Sequence, residues 1–160
     1  MATAIKDKKT PVFDFKTGEF MTDDHGRILT TGGILGAVVV IMKAQQTPRA
    51  THPVYRNAIN TRLNHKYGNS AWHILTRPDL TEEVRLSEMK RAMREAILYD
   101  PWVLEVYNMS IVRRSVNERP VRDGSKQTPV DVLDTEFTVR TIFDEELTVR
   151  GVVYNDQAVL

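Results

Sequence analysis

The 160-residue chain contains no cysteine. That removes disulfide frameworks, thiolate zinc sites and cysteine nucleophiles together, and it fits manufacture in a reducing cytoplasm. An excess of charge is also missing, since 22 basic residues face 21 acidic ones. A chain whose main partner is nucleic acid carries a clear basic surplus, so no nucleic-acid partner is expected. Long apolar runs are absent as well. The longest, Ile34 to Met42 in "GGILGAVVVIMKAQQ", has about half the length that a membrane-spanning helix needs. It reads as a buried element, and no membrane partner is expected. The opening "MATAIKDKKT" has no apolar core and is not a secretory signal. A phosphate loop, a dinucleotide fingerprint and a nucleophile elbow are all lacking, as are internal repeats and low-complexity stretches.

What is present favours a single α+β domain over 1–160, with 1–10 and 155–160 as candidate flexible tails. In "PVFDFKTGEFMTDDHGRILTT", apolar Val12, Phe13, Phe15, Phe20, Ile28 and Leu29 flank two turn signals, Lys16-Thr17-Gly18 and Asp23-Asp24-His25-Gly26. Short strands joined by tight turns are predicted there. Thr30 or Thr31 is then expected to cap an apolar helix over roughly 33–46. The β-branched run Val38 to Ile41 makes that helix depend on tertiary burial. The stretch from Thr47 to Leu80 is punctuated by Pro48, Pro53 and Pro78, with Gly68 at a helix end or turn. Short helices are predicted over 55–65 and 70–75. The stretch is rich in Arg, Asn, His and aromatic residues and poor in continuous core, a composition suited to recognition.

From Thr81 the local signals agree. Thr81 is an N-cap, and Glu82 and Glu83 fall in the first turn, where the helix dipole favours anions. Leu86, Met89, Met93, Ala96 and Ile97 keep helical spacing, and Arg91 can pair with Glu88 and Glu95. Pro101 ends the helix. Trp102–Val116 follows as a strand, with Val103, Tyr107, Met109 and Ile111 on one face by period-two alternation. Beyond the polar loop "NERPVRDGSKQTP", "VLDTEFTVRTIF" sets Leu133, Phe137, Val139 and Phe143 against Asp134, Glu136, Thr138 and Arg140. A turn at Asp144-Glu145 leads into "ELTVRGVVY", with Leu147, Val149 and Val153 alternating. The expected fold is thus an antiparallel β meander packed against a long helix, with an N-terminal β-hairpin region and a further apolar helix.

Candidate chemistry is sparse. His25, His52, His65 and His73 have no metal-ligand spacing, and only His65 and His73 come close enough in sequence to suggest a pair. The carboxylate pairs Glu82-Glu83 and Glu145-Glu146 suit a helix N-terminus and a hairpin turn, and nothing flanks them with the cleft that a glycosidase needs. The basic run Arg113, Arg114, Arg119, Arg122 and Lys126 is offset by Glu118 and Asp123 and lacks the interleaved aromatics of a single-strand binder. Trp72 and Trp102 read as core anchors first and interface residues second. No catalytic, cofactor-binding or metal-ligating residue is assigned. The most suggestive feature is that a meander ending near the C-terminus leaves an edge strand, and an open edge invites pairing with another chain.

The order "FDFKTGEFMTDDHGRILTTGG", an apolar helix, "TPR", "NHKYG", "MKRAMREAILYDPWVLEVYNMSI" and a final "LTVRGVVY" resembles one known family. It is the baseplate wedge or sheath-initiator family of contractile phage tails, formerly labelled tail lysozyme, in the subgroup from phages of Gram-positive hosts. The resemblance runs from about Phe13 to Tyr154. It implies a structural virion protein of the tail baseplate, assembled in the host cytoplasm, which forms a sixfold ring around the tail tube. Its implied partners are baseplate wedge proteins and the tail sheath protein, with the tube as a further neighbour, and no cofactor is implied. The wedge contact would involve Thr47, Pro48, Arg49, Tyr55, Lys66, Tyr67 and Gly68. Arg49 matches the arginine of the family's Glu-Pro-Arg or Gly-Glu-Arg motif, whereas the acidic residue has no counterpart here. The sheath contact, by strand exchange, would involve Arg113, Arg114, Leu147, Val149, Val152 and Tyr154. The other readings left open are an adaptor elsewhere in the tail and a peptidoglycan hydrolase.

Overall fold

The computed structural model describes residues 2–49, 59–60, 65–117 and 129–155. The fold is α+β, with the elements α1 (Ala2–Lys6), β1 (Lys9–Pro11), β2 (Phe13–Asp14), β3 (Glu19–Phe20), β4 (Thr30–Gly32), α2 (Gly33–Gln46), β5 (Ile59–Asn60), β6 (His65–Lys66), α3 (Ala71–Leu75), α4 (Glu82–Leu98), β7 (Val103–Asn117), β8 (Pro129–Thr141) and β9 (Glu146–Asn155). The largest sheet is the antiparallel meander β7-β8-β9, with β8 in the centre. The helices α4 and α2 cover one of its faces. Ile41 and Ala44 of α2 join Met89, Met93 and Ile97 of α4, and Val106, Leu133, Phe137 and Val139 of the sheet, in one buried cluster.

The opposite face of the sheet is wet and laced with ion pairs between strands. Arg140 reaches Glu105 at 2.9 Å, Arg150 reaches Glu136 at 2.7 Å, and Arg114 pairs with Asp134. This is the alternation expected of a sheet with one dry face and one solvated face. As exposed pairs they contribute little stability each, but they keep that face from being an apolar landing site.

The long helix forms as its sequence requires. Thr81 accepts a hydrogen bond from the Val84 amide, Arg91 bridges to Glu88 at 2.5 Å and Glu95 at 2.9 Å, and Met89, Ala92, Met93, Ala96 and Ile97 are buried. Leu86 is half-buried on the same stripe. After Tyr99, the Asp100 carboxylate accepts from the Trp102 amide at 2.9 Å. This tight corner leads straight into β7.

Elsewhere the structure departs from the sequence expectations. Neither Thr30 nor Thr31 caps α2. Both pair with β1 as part of β4, and the N-cap is Gly32, without a side-chain bond. Ladder pairing there outcompetes capping. The helix expected over 55–65 is contradicted at the described positions, since Ile59 and Asn60 pair antiparallel with Lys66 and His65. The N-terminal stretch also touches the start of β7. Trp102 Nε1 donates to the Ile5 carbonyl at 2.7 Å, and the Lys8 ammonium lies 5.3 Å from the Trp102 ring centroid.

On β7 the period-two reading fails at Tyr107. Two register irregularities, at Val103/Glu105 and Tyr107/Ser110, with Asn108 at φ 51°, shift the phase of the strand. Val103 and Val106 are therefore the buried residues, and Met109 and Ile111 follow on that face. The turn into β9 places Asp144 at φ 61°. Phe143 leaves the ladder and sets its ring edge-on to Trp102, 5.7 Å away.

Candidate functional site

The residues assigned to a wedge contact meet at a junction where α2 ends. Thr47 leaves helical geometry at φ −99°, ψ 112°, and its hydroxyl donates back to the Lys43 carbonyl at 2.7 Å. The chain then runs beside Tyr67–Ser70. The Asn69 amide donates to the Thr47 carbonyl at 2.8 Å, the Arg49 amide donates to the Asn69 carbonyl at 3.1 Å, and Pro48 and Asn69 form a parallel bridge. Arg49 Nε donates to the Gly68 carbonyl at 3.1 Å. His73 Nε2 donates to the Arg49 carbonyl at 2.9 Å, which fixes the proton on that nitrogen because a carbonyl can only accept.

Only glycine fits at position 68. Its φ is +105°, and an added Cβ would lie 2.7 Å from the Thr47 carbonyl oxygen and 2.9 Å from the Arg49 Cα. Backbone packs directly on backbone there.

Beneath the junction lie two buried amides that the sequence reading missed. Gln45 and Asn69 are both fully buried. Gln45 Nε2 donates to the Met93 carbonyl of α4 at 2.8 Å, Asn69 Nδ2 donates to Gln45 Oε1 at 2.7 Å, and the Ala71 amide donates to Asn69 Oδ1 at 2.8 Å. This chain of bonds ties α2, the junction, α3 and α4 together. The available signal was a polar Gln45 on the buried face of an otherwise apolar helix, together with the asparagine in "KYGN".

The structure thus gathers Thr47, Pro48 and Arg49 with Tyr67 and Gly68, and the backbone of Lys66 enters as part of β6. Tyr55 lies outside the described residues. Arg49 is not a projecting hook. Burial pushes its guanidinium below its ordinary pKa, with the nearby Glu95 and Tyr99 pulling it back. What faces outward beside the junction is aromatic and cationic. Lys43 Nζ lies 5.4 Å from the Phe20 centroid and 6.0 Å from that of Tyr67. A cleft of about 400 Å³ is lined by Phe13, Phe15, Phe20, Lys43 and Thr47, among others.

The residues assigned to a sheath contact are divided by the sheet. Arg113 and Arg114 lie on the β7 edge, whereas Leu147, Val149, Val152 and Tyr154 lie on β9, with β8 between them. Both arginines are engaged within the chain. Arg113 reaches Glu82 at the start of α4 at 2.8 Å, and Arg114, on the other face, pairs with Asp134. Leu147 and Val149 point to the core side, half-buried and buried respectively. Val152 and Tyr154 are described by register alone, opposite Thr135 and Leu133.

Among the described residues both outer strands of the sheet, β7 and β9, are paired on one side only. β9 is hydrogen-bonded to β8 on one side, and no described strand lies on the other. Its ladder shifts register between Thr135 and Glu136, where Arg150 and Val152 are the consecutive partners, so Gly151 is the extra residue of a bulge. Along the regular stretch before the bulge, Glu146, Thr148 and Arg150 are exposed. The Glu146 carboxylate takes a hydrogen bond from Tyr107, which raises the phenol above its ordinary pKa.

Among the described residues no group of three or more His, Asp or Glu could hold a metal ion, and no described helix is long and apolar enough to cross a membrane. A scan against protein-family models finds no match for this chain, and a search of curated proteins finds none either.

Proposed function

We propose that this chain is a structural subunit of a contractile tail baseplate, linking wedge proteins around the tail tube to the first sheath ring and starting sheath assembly by strand pairing. The observation that carries the reading is the β9 edge, unpaired among the described residues, on a sheet backed by α4 and the Asp100-Pro101 corner. A rigid edge offers a row of backbone donors and acceptors to an extended segment. Each bond contributes modestly, roughly 1 kcal/mol net, and a sixfold ring multiplies the row. The ordered resemblance from Phe13 to Tyr154 supports the same reading. The junction of Thr47–Arg49 with Tyr67–Gly68 is the proposed wedge side, and its outward chemistry is that of Lys43 and the aromatic rings rather than of Arg49.

Of the two edges of the sheet, the proposal takes β9 as the sheath contact, because four of the six assigned residues lie on it. Arg113 and Arg114 belong to the other edge and act within the fold.

The test mixes purified protein with the sheath subunit and wedge proteins of the same particle, read by light scattering and negative-stain microscopy. Sheath growth that requires both wedge and this chain supports the proposal. Val149→Pro or Val152→Pro should abolish that growth, because proline removes a donor and bends the edge, while wedge binding reports that the variants still fold. Sheath assembly that survives both changes defeats the strand-pairing account. Wedge binding without any effect on sheath leaves an adaptor, and clearing of a cell-wall suspension would replace the proposal with a hydrolase.

A further inference from the structure

The β9 edge has a property that does not depend on sheath: its charges are palindromic. Glu146, Leu147, Thr148, Val149 and Arg150 form the regular run between the turn at Asp144 and the bulge at Gly151. In an antiparallel pair, directly opposite residues lie on the same face. A second β9 centred on Thr148 therefore sets Glu146 opposite Arg150 twice over, once at each end. Leu147 then lies opposite Val149 on the core side, and Thr148 opposite Thr148 at the centre.

Other registers fare worse. Centring on Arg150 places the two arginines face to face and drives the seam through the bulge. Centring on Glu146 opposes two carboxylates and runs into the turn. The Thr148 register alone keeps the whole run paired with both charges matched.

The surroundings fit such a partner. Arg150 already holds Glu136 at 2.7 Å, so an incoming Glu146 would give its guanidinium a second carboxylate, within reach of its five donors. On the core side, a cleft of about 290 Å³ beside the edge is lined by Val38, Met42, Leu147, Thr148, Val149 and Arg150. Leu35, 68% exposed, and Val38, 37% exposed, continue this stripe along α2. A two-fold axis perpendicular to the sheet puts both copies of α2 on the same side, flanking the seam. The stripe of one copy then faces that of the other.

We infer that two copies of this chain pair through their β9 edges about a two-fold axis at Thr148, forming one continuous sheet and covering the edge when no other strand occupies it. The contact is isologous and closes on itself, so it yields dimers and not filaments.

The experiment uses the full chain alone, in sedimentation velocity across a wide concentration range, so its failure is separate from any failure of the sheath assay. A reversible dimer that weakens with added salt is expected. Glu146→Arg or Arg150→Glu alone turns both matched pairs into like-charge pairs and should weaken dimerisation about tenfold. The double swap Glu146→Arg/Arg150→Glu should restore it, and the rescue shows that the single variants did not merely misfold. Because the chain has no cysteine, Thr148→Cys introduces a lone thiol that the two-fold places opposite itself, within disulfide reach. Oxidation should give a covalent dimer from Thr148→Cys and little from Glu146→Cys, whose counterpart in the partner lies at the far end of the seam. A chain that stays monomeric at every concentration overturns the inference. So does a dimer indifferent to the single changes, or one that the double swap fails to rescue.

Discussion

Replacing Gly68 by alanine would drive a methyl group into the junction where α2 ends. Two costs arise. At φ +105° an L-residue is strained by about 1–3 kcal/mol. The added Cβ would also sit 2.7 Å from the Thr47 carbonyl oxygen, 2.9 Å from the Arg49 Cα and 3.0 Å from the Arg49 nitrogen. These are backbone atoms with no rotamer to retreat into, and overpacking of this kind costs about 1–3 kcal/mol. A more restricted unfolded chain returns about 0.4–1 kcal/mol. The net loss is then about 1–6 kcal/mol, a large share of the about 5–15 kcal/mol that holds a domain together. For a chain of this size, at about 3 °C per kcal/mol, it lowers the melting temperature by roughly 3–18 °C.

Gly18→Ala is the matching control. Gly18 has φ +77° but nothing within 4 Å of its would-be Cβ, so it carries the backbone strain without the collision. Thermal and urea unfolding of both variants isolates the contact. Amide exchange at Arg49 and Asn69, whose N–H groups close the junction, locates it. A Gly68→Ala protein that melts with Gly18→Ala and keeps those amides protected would refute the close approach of the two segments.

Gln45→Met keeps the size of the side chain but removes the donor to the Met93 carbonyl and the acceptor for Asn69. Leaving buried polar groups unmatched should cost about 1–3 kcal/mol, seen as a lower urea midpoint at unchanged slope; an unchanged midpoint would mean that the amides do not join the helices. Asp23 accepts from the amides of His25 and Arg27, both at 2.9 Å, and these bonds, the one from Arg27 first, hold its carboxyl below the ordinary range. A depressed folded pKa gives a contribution that is present above the unfolded value and lost as pH falls through the folded one. The Asp23-to-Arg27 turn should accordingly stay closed through mild acid and open only below the usual aspartate range. Titration of Asp23 followed by NMR checks this, and a midpoint at or above the ordinary aspartate value would contradict it.

What was legible in the sequence was local. The helix from Glu82 to Leu98 announces itself through Thr81, the Arg91 pairs and Pro101, all acting within a turn or two of the residues that they report. Trp102 was legible as a core anchor because a large ring after a helix stop has few other places to go. Asn69 was not. Its value lies in Gln45, which is 24 positions away, and in a glycine that only the approach of Thr47 makes obligatory. Ile59 and Asn60 sat in a helix-like window, yet they pair with a strand whose position no local rule gives.

The residues assigned to a sheath contact fall on two edges for a related reason. Period-two reasoning assigns faces within a strand but says nothing of which strand lies at which edge, so Arg113 and Arg114 were grouped with β9 residues that the sheet holds apart. Bulges are equally hidden from such reasoning. One irregularity carries Tyr107 off the face predicted for it, and Gly151 interrupts β9 just past Arg150. The second of these does more than shift a phase. By ending the regular edge at Arg150, it separates the run from Glu146 from the stretch beyond Gly151, and within that run the charges of Glu146 and Arg150 select one register for a second copy. A strand from another protein must match the same limits to displace it, with a basic residue opposite Glu146, an acidic one opposite Arg150 and apolar residues opposite Leu147 and Val149. Any sheath segment that pairs here should carry that pattern, and one lacking it would have to pair beyond the bulge.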